Sequence, residues 1–189
     1  MAVTQFPYRW GLEEFLLAWE AGAFSKRAEL IDGEVWDVPI GQWHAKTSGR
    51  VIRSLPNGTV EVLAGSLPSG QSLPEPDCWV LRSGAKPAEQ LSRRMSRWDP
   101  ADVLLVVEVS DETRVHDLGR KVAIYGDAGF AAYWSVTRDG VFAHTEPVRG
   151  GYRLRLFHPT GTSLPVPYAP DVVLDVDDDL IGGEVLKFR

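Results

Sequence analysis

Two carboxylates and an amine stand where the pattern around them leaves little room for charge. Glu108 interrupts "VLLVVEV", residues 103–109, in which the other six residues are apolar. A run of that length, bounded by polar loops, reads as a strand covered on both faces. A carboxylate buried there must be protonated, paired or bound to a cation, because an unpartnered buried charge is costly. Asp77 opens a second strand directly after Pro76 in "EPDCWVLR", with Trp79 and Leu81 on its face by alternation. Lys121 lies on the flank of the apolar stripe Val115, Leu118, Val122 and Tyr125, on a helix that Thr113 would cap and Gly129 would end, and it points partly toward the sheet.

Each residue also has an ordinary reading. Glu108 could lie at an exposed strand end and meet only water. An aspartate after proline at a strand start is commonly turn chemistry. Lys121 could pair with Asp117, four residues back, in a solvated contact of a few tenths of a kcal/mol. Together, an aspartate, a glutamate and a lysine on successive elements make a set.

The elements that must position them follow from periodicity. "LEEFLLAWEAGAF" has helical spacing and stops near glycine. "RAELIDGEVWDVP" is two short alternating segments around Asp-Gly, a strong hairpin signal. "QWHAKTSGRVIRSLP" is a weaker amphipathic helix closed by Pro56. "GTVEVLAGS", "GQSLPEPDCWVLR" and "DVLLVVEVS" read as strands, interrupted by the polar stretch 83–100. After the Lys121 helix, "FAAYWSV", "GVFAHTEP", "YRLRLFHP" and "VVLDV" return to strands. The order predicts a mixed, twisted sheet with helices packed against it.

At 189 residues and 44% hydrophobic, the chain suits one compact domain over 1–189. The single cysteine, Cys78, cannot form an internal disulfide, which fits a reducing cytoplasm. The apolar runs are too short for a membrane span, and the first residues lack the marks of a secretion signal. A net charge of −6 argues against nonspecific coating of nucleic acid but not against a local basic patch. Residues 82–97, with five basic residues and one acidic, are such a patch or a solvated loop that balances charge. His116, His144 and His158 have no zinc-site spacing, and the acidic "DVVLDVDDD" near the C-terminus is a poor metal site by itself.

The ordered set "ELIDGE", a helical histidine, "PD", "VEV", "DLGRK...Y" and "YW" resembles the Uma-type putative restriction endonucleases of the PD-(D/E)XK superfamily, over roughly residues 28 to 137. The resemblance implies a restriction-endonuclease-like α+β fold: a central mixed sheet flanked by helices, with added strands. It makes Pro76 and Asp77 the "PD", makes Glu108 the acid of the second half-motif, and moves the lysine from the position of Ser110 to Lys121 on the following helix. Glu34 and His44 match further polar positions of the family. The run "SDET" after Glu108 and the long 83–100 stretch depart from its usual pattern.

The implied activity is metal-dependent hydrolysis of phosphodiester bonds in nucleic acid, DNA foremost. Such chemistry needs a divalent cation to offset phosphate charge and acidify the attacking water. Mg²⁺, with Mn²⁺ as substitute, takes one or two carboxylates plus other oxygens. Asp77 and Glu108 would supply the carboxylates and the Val109 carbonyl a third oxygen, while Lys121 would orient the water or stabilise developing charge. By analogy with nucleases that cut both strands, a homodimer is expected. The competing expectation is an inactive relative that binds nucleic acid or a protein partner.

Overall fold

A computed structural model of the chain describes residues 8–37, 41–110 and 115–182, with side chains in the third range from residue 119. In chain order the elements are helix α1 (Leu12–Glu20), strands β1 (Ala28–Ile31) and β2 (Glu34–Asp37), helix α2 (Gln42–Ser54), and strands β3 (Val60–Leu63), β4 (Cys78–Arg82), β5 (Glu89–Gln90), β6 (Ser96–Arg97) and β7 (Val103–Val109). Helix α3 (Val115–Asp127) follows, then β8 (Ala132–Thr137), β9 (Gly140–Val148), β10 (Gly151–Pro159), β11 (Thr162–Val166), β12 (Ala169–Val176) and the single-turn α4 (Asp178–Ile181).

Six strands form the central sheet in the order β10-β9-β8-β7-β4-β3. β7 and β8 run parallel, joined through α3, as a parallel pair requires a crossover. The other neighbours are antiparallel. This is the mixed α+β architecture the periodicity implies, and β7 at its centre is covered on both sides as its apolar run demands.

Alternation sorts the core into two faces. Leu105, Val107 and Val109 join Cys78, Val80 and Trp134 on one, against Val51 and Leu55 of α2, Leu180 and Ile181 of α4, and the β11–β12 hairpin. Val106, Trp79, Leu81 and Tyr133 lie on the other, against Ile124 and Tyr125 of α3. A third cluster ties α1 to the β1–β2 hairpin and to Leu91 and Met95.

Two local features fix the elements around the site. The hairpin turns through Asp32 (φ 50°) and Gly33 (φ 80°), both left-handed, as a tight two-residue Asp-Gly turn needs. Helix α3 closes with Gly129 at φ 82°, its N–H on the Gly126 carbonyl at 2.9 Å and the Phe130 N–H on the Tyr125 carbonyl at 3.2 Å. That is a Schellman ending. Its Thr113 cap lies outside the described residues.

The fold departs from the reading of the sequence in three places. Residues 71–77 are not strand: Pro74 and Pro76 withhold ladder donors, and β4 begins only at Cys78. The stretch 83–100 contains the small β5–β6 hairpin, which leaves and rejoins the sheet at the end of β4 away from Asp77. It is anchored to α1, where Glu20 accepts from Ser92 Oγ at 2.6 Å and the Arg94 N–H at 3.3 Å. β11, with Pro165 inside it, and α4 went unread.

Candidate active site

The site forms where β4 and β7 end together. Their register pairs Cys78 with Val107, so one residue further on Asp77 comes opposite Glu108. Glu108 is 6% exposed, which excludes the reading of an acid in open water.

Asp77 is held by three donors. His44 Nε2 lies 2.5 Å and Ser48 Oγ 2.6 Å from Oδ1, and the Val109 N–H donates to Oδ2 at 2.7 Å. The histidine contact puts the ring proton on Nε2. His44 and Ser48 are four residues apart on α2 and so share one helix face. A carboxylate offers about four lone-pair sites, so among the described residues one on Oδ2 remains for a cation. The N–H and C=O of one strand residue point to the same side, so the Val109 carbonyl also faces Asp77.

Lys121 holds the other carboxylate. Its Nζ lies 2.9 Å from Glu108 Oε1 and 3.0 Å from Glu29 Oε1; the side chain of Asp117, its other candidate partner, is outside the described residues. The Tyr125 hydroxyl donates to Glu108 Oε1 at 2.6 Å, one helical turn from Lys121. The Glu75 N–H completes Glu29 at 2.9 Å.

Two carboxylates therefore share one ammonium, with Asp77 close enough to act on Glu108, and the charge state follows. Burial pushes the Glu108 carboxyl up to about 7; Lys121 pulls it down, while Glu29 and Asp77 push it further up. Burial disfavours the Lys121 charge, yet Glu108 and Glu29 outweigh it and hold the ammonium above the usual lysine range. The neighbouring Glu75 carboxyl is also raised, first by burial and then by Glu29 and Asp77. The pocket carries an excess of negative charge.

Glu34 stands apart from this group. Its half-exposed carboxylate pairs with Arg120 at 3.2 Å and Arg9 at 3.4 Å, and among the described residues it makes no contact with Asp77, Glu108 or Lys121. Ser110, at the position where the superfamily motif has lysine, is buried and donates its N–H to the Val136 carbonyl at 2.8 Å. Glu29, Ser48 and Tyr125 were not singled out from the sequence for this site. Glu29 could have been, since it breaks the apolar strand "AELI" as Glu108 breaks "VLLVVEV".

Among the described residues, no group of three or more His, Cys, Asp or Glu side chains is arranged to close on a metal ion. A magnesium site does not require one, since waters and substrate oxygens complete its shell. The donor set of Asp77, Glu108 and the Val109 carbonyl is all oxygen and carries excess negative charge, so it fits a hard divalent cation.

A mixed six-stranded sheet with this site at the end of an antiparallel pair is a nuclease-like, restriction-endonuclease-type fold. The chain superposes on a crystal structure described as a putative nuclease belonging to DUF820 from Anabaena variabilis. The TM-score is 0.64 at 19% identity, covering 91% of this chain and 97% of the other. The chain belongs to the Uma2 family, described as "putative restriction endonuclease", whose profile matches residues 12–177. No curated protein matches it. No described helix is long and apolar enough to cross a membrane.

Proposed function

We propose that this protein is a Mg²⁺-dependent endonuclease, with Mn²⁺ as substitute, that hydrolyses phosphodiester bonds of DNA in the cytoplasm, using one domain that spans the chain. One observation carries the reading: Asp77 is tied to the strand residue next to Glu108 through the Val109 N–H, and the two buried carboxylates Glu108 and Glu29 share a single ammonium. Such a pocket favours added positive charge.

Asp77, Glu108 and the Val109 carbonyl would hold the metal, which when bound offsets phosphate charge and acidifies the attacking water. His44, Ser48 and the Val109 N–H lock the Asp77 carboxylate in place. Tyr125 and Lys121 do the same for Glu108. Lys121 stays protonated because the carboxylates hold it so. It therefore acts as a cation, donating to the phosphate oxygen on which charge builds, and not as a base. Glu29 positions that ammonium from its far side.

The test is incubation of purified protein with supercoiled plasmid, linear duplex and single strands, with Mg²⁺, with Mn²⁺ and with chelator. Cleavage that needs metal and is lost in Asp77→Asn and Glu108→Gln supports the proposal. Cleavage that survives chelator removes the metal role. No cleavage of any substrate leaves an inactive relative that binds nucleic acid or a partner.

A further inference from the structure

The row of side chains that holds Glu108 continues across the sheet to its free edge. Glu108 pairs with Ser135, Ser135 with Phe142, and Phe142 with Phe157. Directly paired residues share one face of a sheet, so all four lie on the face that α3 packs against. Neighbouring strands are about 4.8 Å apart, which sets Phe142 roughly 10 Å and Phe157 roughly 14 Å from Glu108. The row runs straight from the carboxylates to the edge.

Its outer end is aromatic and basic. The Phe142 and Phe157 rings lie 4.5 Å apart at 32°, and the Arg155 guanidinium sits 4.2 Å from the Phe142 ring centre. Phe157 is 44% exposed, so part of its ring is open to a ligand. Arg155 makes no ion pair among the described residues, and beside it on β9 burial, with Arg155 itself, pushes His144 down to about 4. An exposed ring, a cation over its neighbour and a candidate hydrolytic site on the same row match one kind of ligand. Bases of a duplex are stacked and paired, so their faces are closed to a protein ring, whereas unpaired bases stack on aromatic and guanidinium planes.

We propose, resting on the nuclease reading above, that Phe157, supported by Phe142 and Arg155, is a stacking platform for an unpaired base of the strand being cut. The preferred substrate is then single-stranded or locally opened nucleic acid, with Arg155 contacting the backbone beside that base.

The experiment measures binding of fluorescein-labelled dT20, and of the dT20·dA20 duplex, to the full-length protein by anisotropy in chelator, where no cutting occurs. Wild type should bind dT20 more tightly than the duplex. Phe157→Ala and Phe157→Leu should each weaken dT20 binding about five- to a hundred-fold, the usual scale for losing one base–aromatic stack. Phe157→Trp should restore it, and Arg155→Gln should weaken it and flatten its salt dependence. Binding of dT20 by Phe157→Leu at the wild-type level overturns the platform, since leucine keeps the apolar contact and loses only the ring. Equal loss for duplex and single strand overturns it as well. A change of oligomeric mass in Phe157→Ala makes the ring a contact between copies and also overturns it. If metal-dependent cleavage is present while these variants bind normally, only the platform falls. If wild type neither binds nor cuts any nucleic acid, the nuclease reading falls with it.

Discussion

Lys121→Met keeps most of the side-chain volume and removes the ammonium between Glu29 and Glu108. Breaking a buried ion pair by deleting one partner typically costs about 3–5 kcal/mol, because the remaining charge is left uncompensated. Here the carboxylates have an escape, which is to take up a proton. In the wild type Glu108 already stands near 7 against an ordinary 4.5, a displacement worth about 3 kcal/mol in favour of the protonated form. A carboxyl raised on folding contributes stability that is fully present below its unfolded value and is lost as pH rises through its folded value. For Glu108 that loss runs from about pH 4.5 to above 7. Without the ammonium the folded value climbs further, so the variant should lose about 3–5 kcal/mol at pH 8 and less than about 2 kcal/mol at pH 5. Urea unfolding of both proteins at the two pH values, compared through midpoints at common slope, reads the difference directly. Millimolar Mn²⁺ should return part of the lost stability at pH 8 and little at pH 5, where Glu108 is protonated. An equal loss at both pH values, or less than about 1 kcal/mol at pH 8, would refute the charge accounting.

Crystals soaked in Mn²⁺ should show anomalous density between Asp77 and Glu108; ordered side chains with no peak there would remove the two-carboxylate metal site. Asp77→Asn deprives one of the three donors on that carboxylate of its acceptor, so cleavage should fall about a hundred-fold or more while stability falls by roughly 1–3 kcal/mol. Cleavage at the wild-type rate would release Asp77 from its role. Cutting both strands of a duplex in one event takes two copies of the site, and light scattering at micromolar concentration should then give a dimer mass; a monomer mass leaves cutting one strand at a time.

What could be read in advance was whatever depends on local pattern. The apolar run around Glu108, the proline before Asp77 and the Asp-Gly hairpin each announce themselves within a few residues; the first and last stand in the fold as read, while the strand after Pro76 starts at Cys78, one residue later than read. Glu29 was missed because a polar residue in a four-residue hairpin strand ordinarily faces water. Only the packing of Leu73 against Leu30 and of α3 across the site closes that side. Ser48 carries no signal of its own, since a helical serine usually bonds its own backbone, and the His44 carbonyl, 2.8 Å from this hydroxyl, is the alternative acceptor to Asp77. Lys121 could be read as pointing partly toward the sheet, but not which acids it meets, since Glu29 on β1 and Glu108 on β7 are far apart in sequence and close over it only in the fold. Where the 83–100 excursion docks was set by Glu20 on α1, more than seventy residues away.

One contact far from any charge sets the tolerance of the whole arrangement. On α3, a methyl group at Gly126 would stand 2.0 Å from the Gly151 carbonyl oxygen, so the helix rests on bare backbone where β10 begins. Lys121 lies five residues up the same helix, about 7.5 Å along its axis. A superfamily lysine two residues after the glutamate would share its strand and move with it. On a separate helix its alignment is transmitted through that glycine-to-glycine seat, as the seating of a rifle sight depends on its mount. In a mutational scan scored only by cleavage, positions 126 and 151 would therefore rank beside the charged residues although neither bears a functional group, and a sequence drifting at either would go silent with its carboxylates intact.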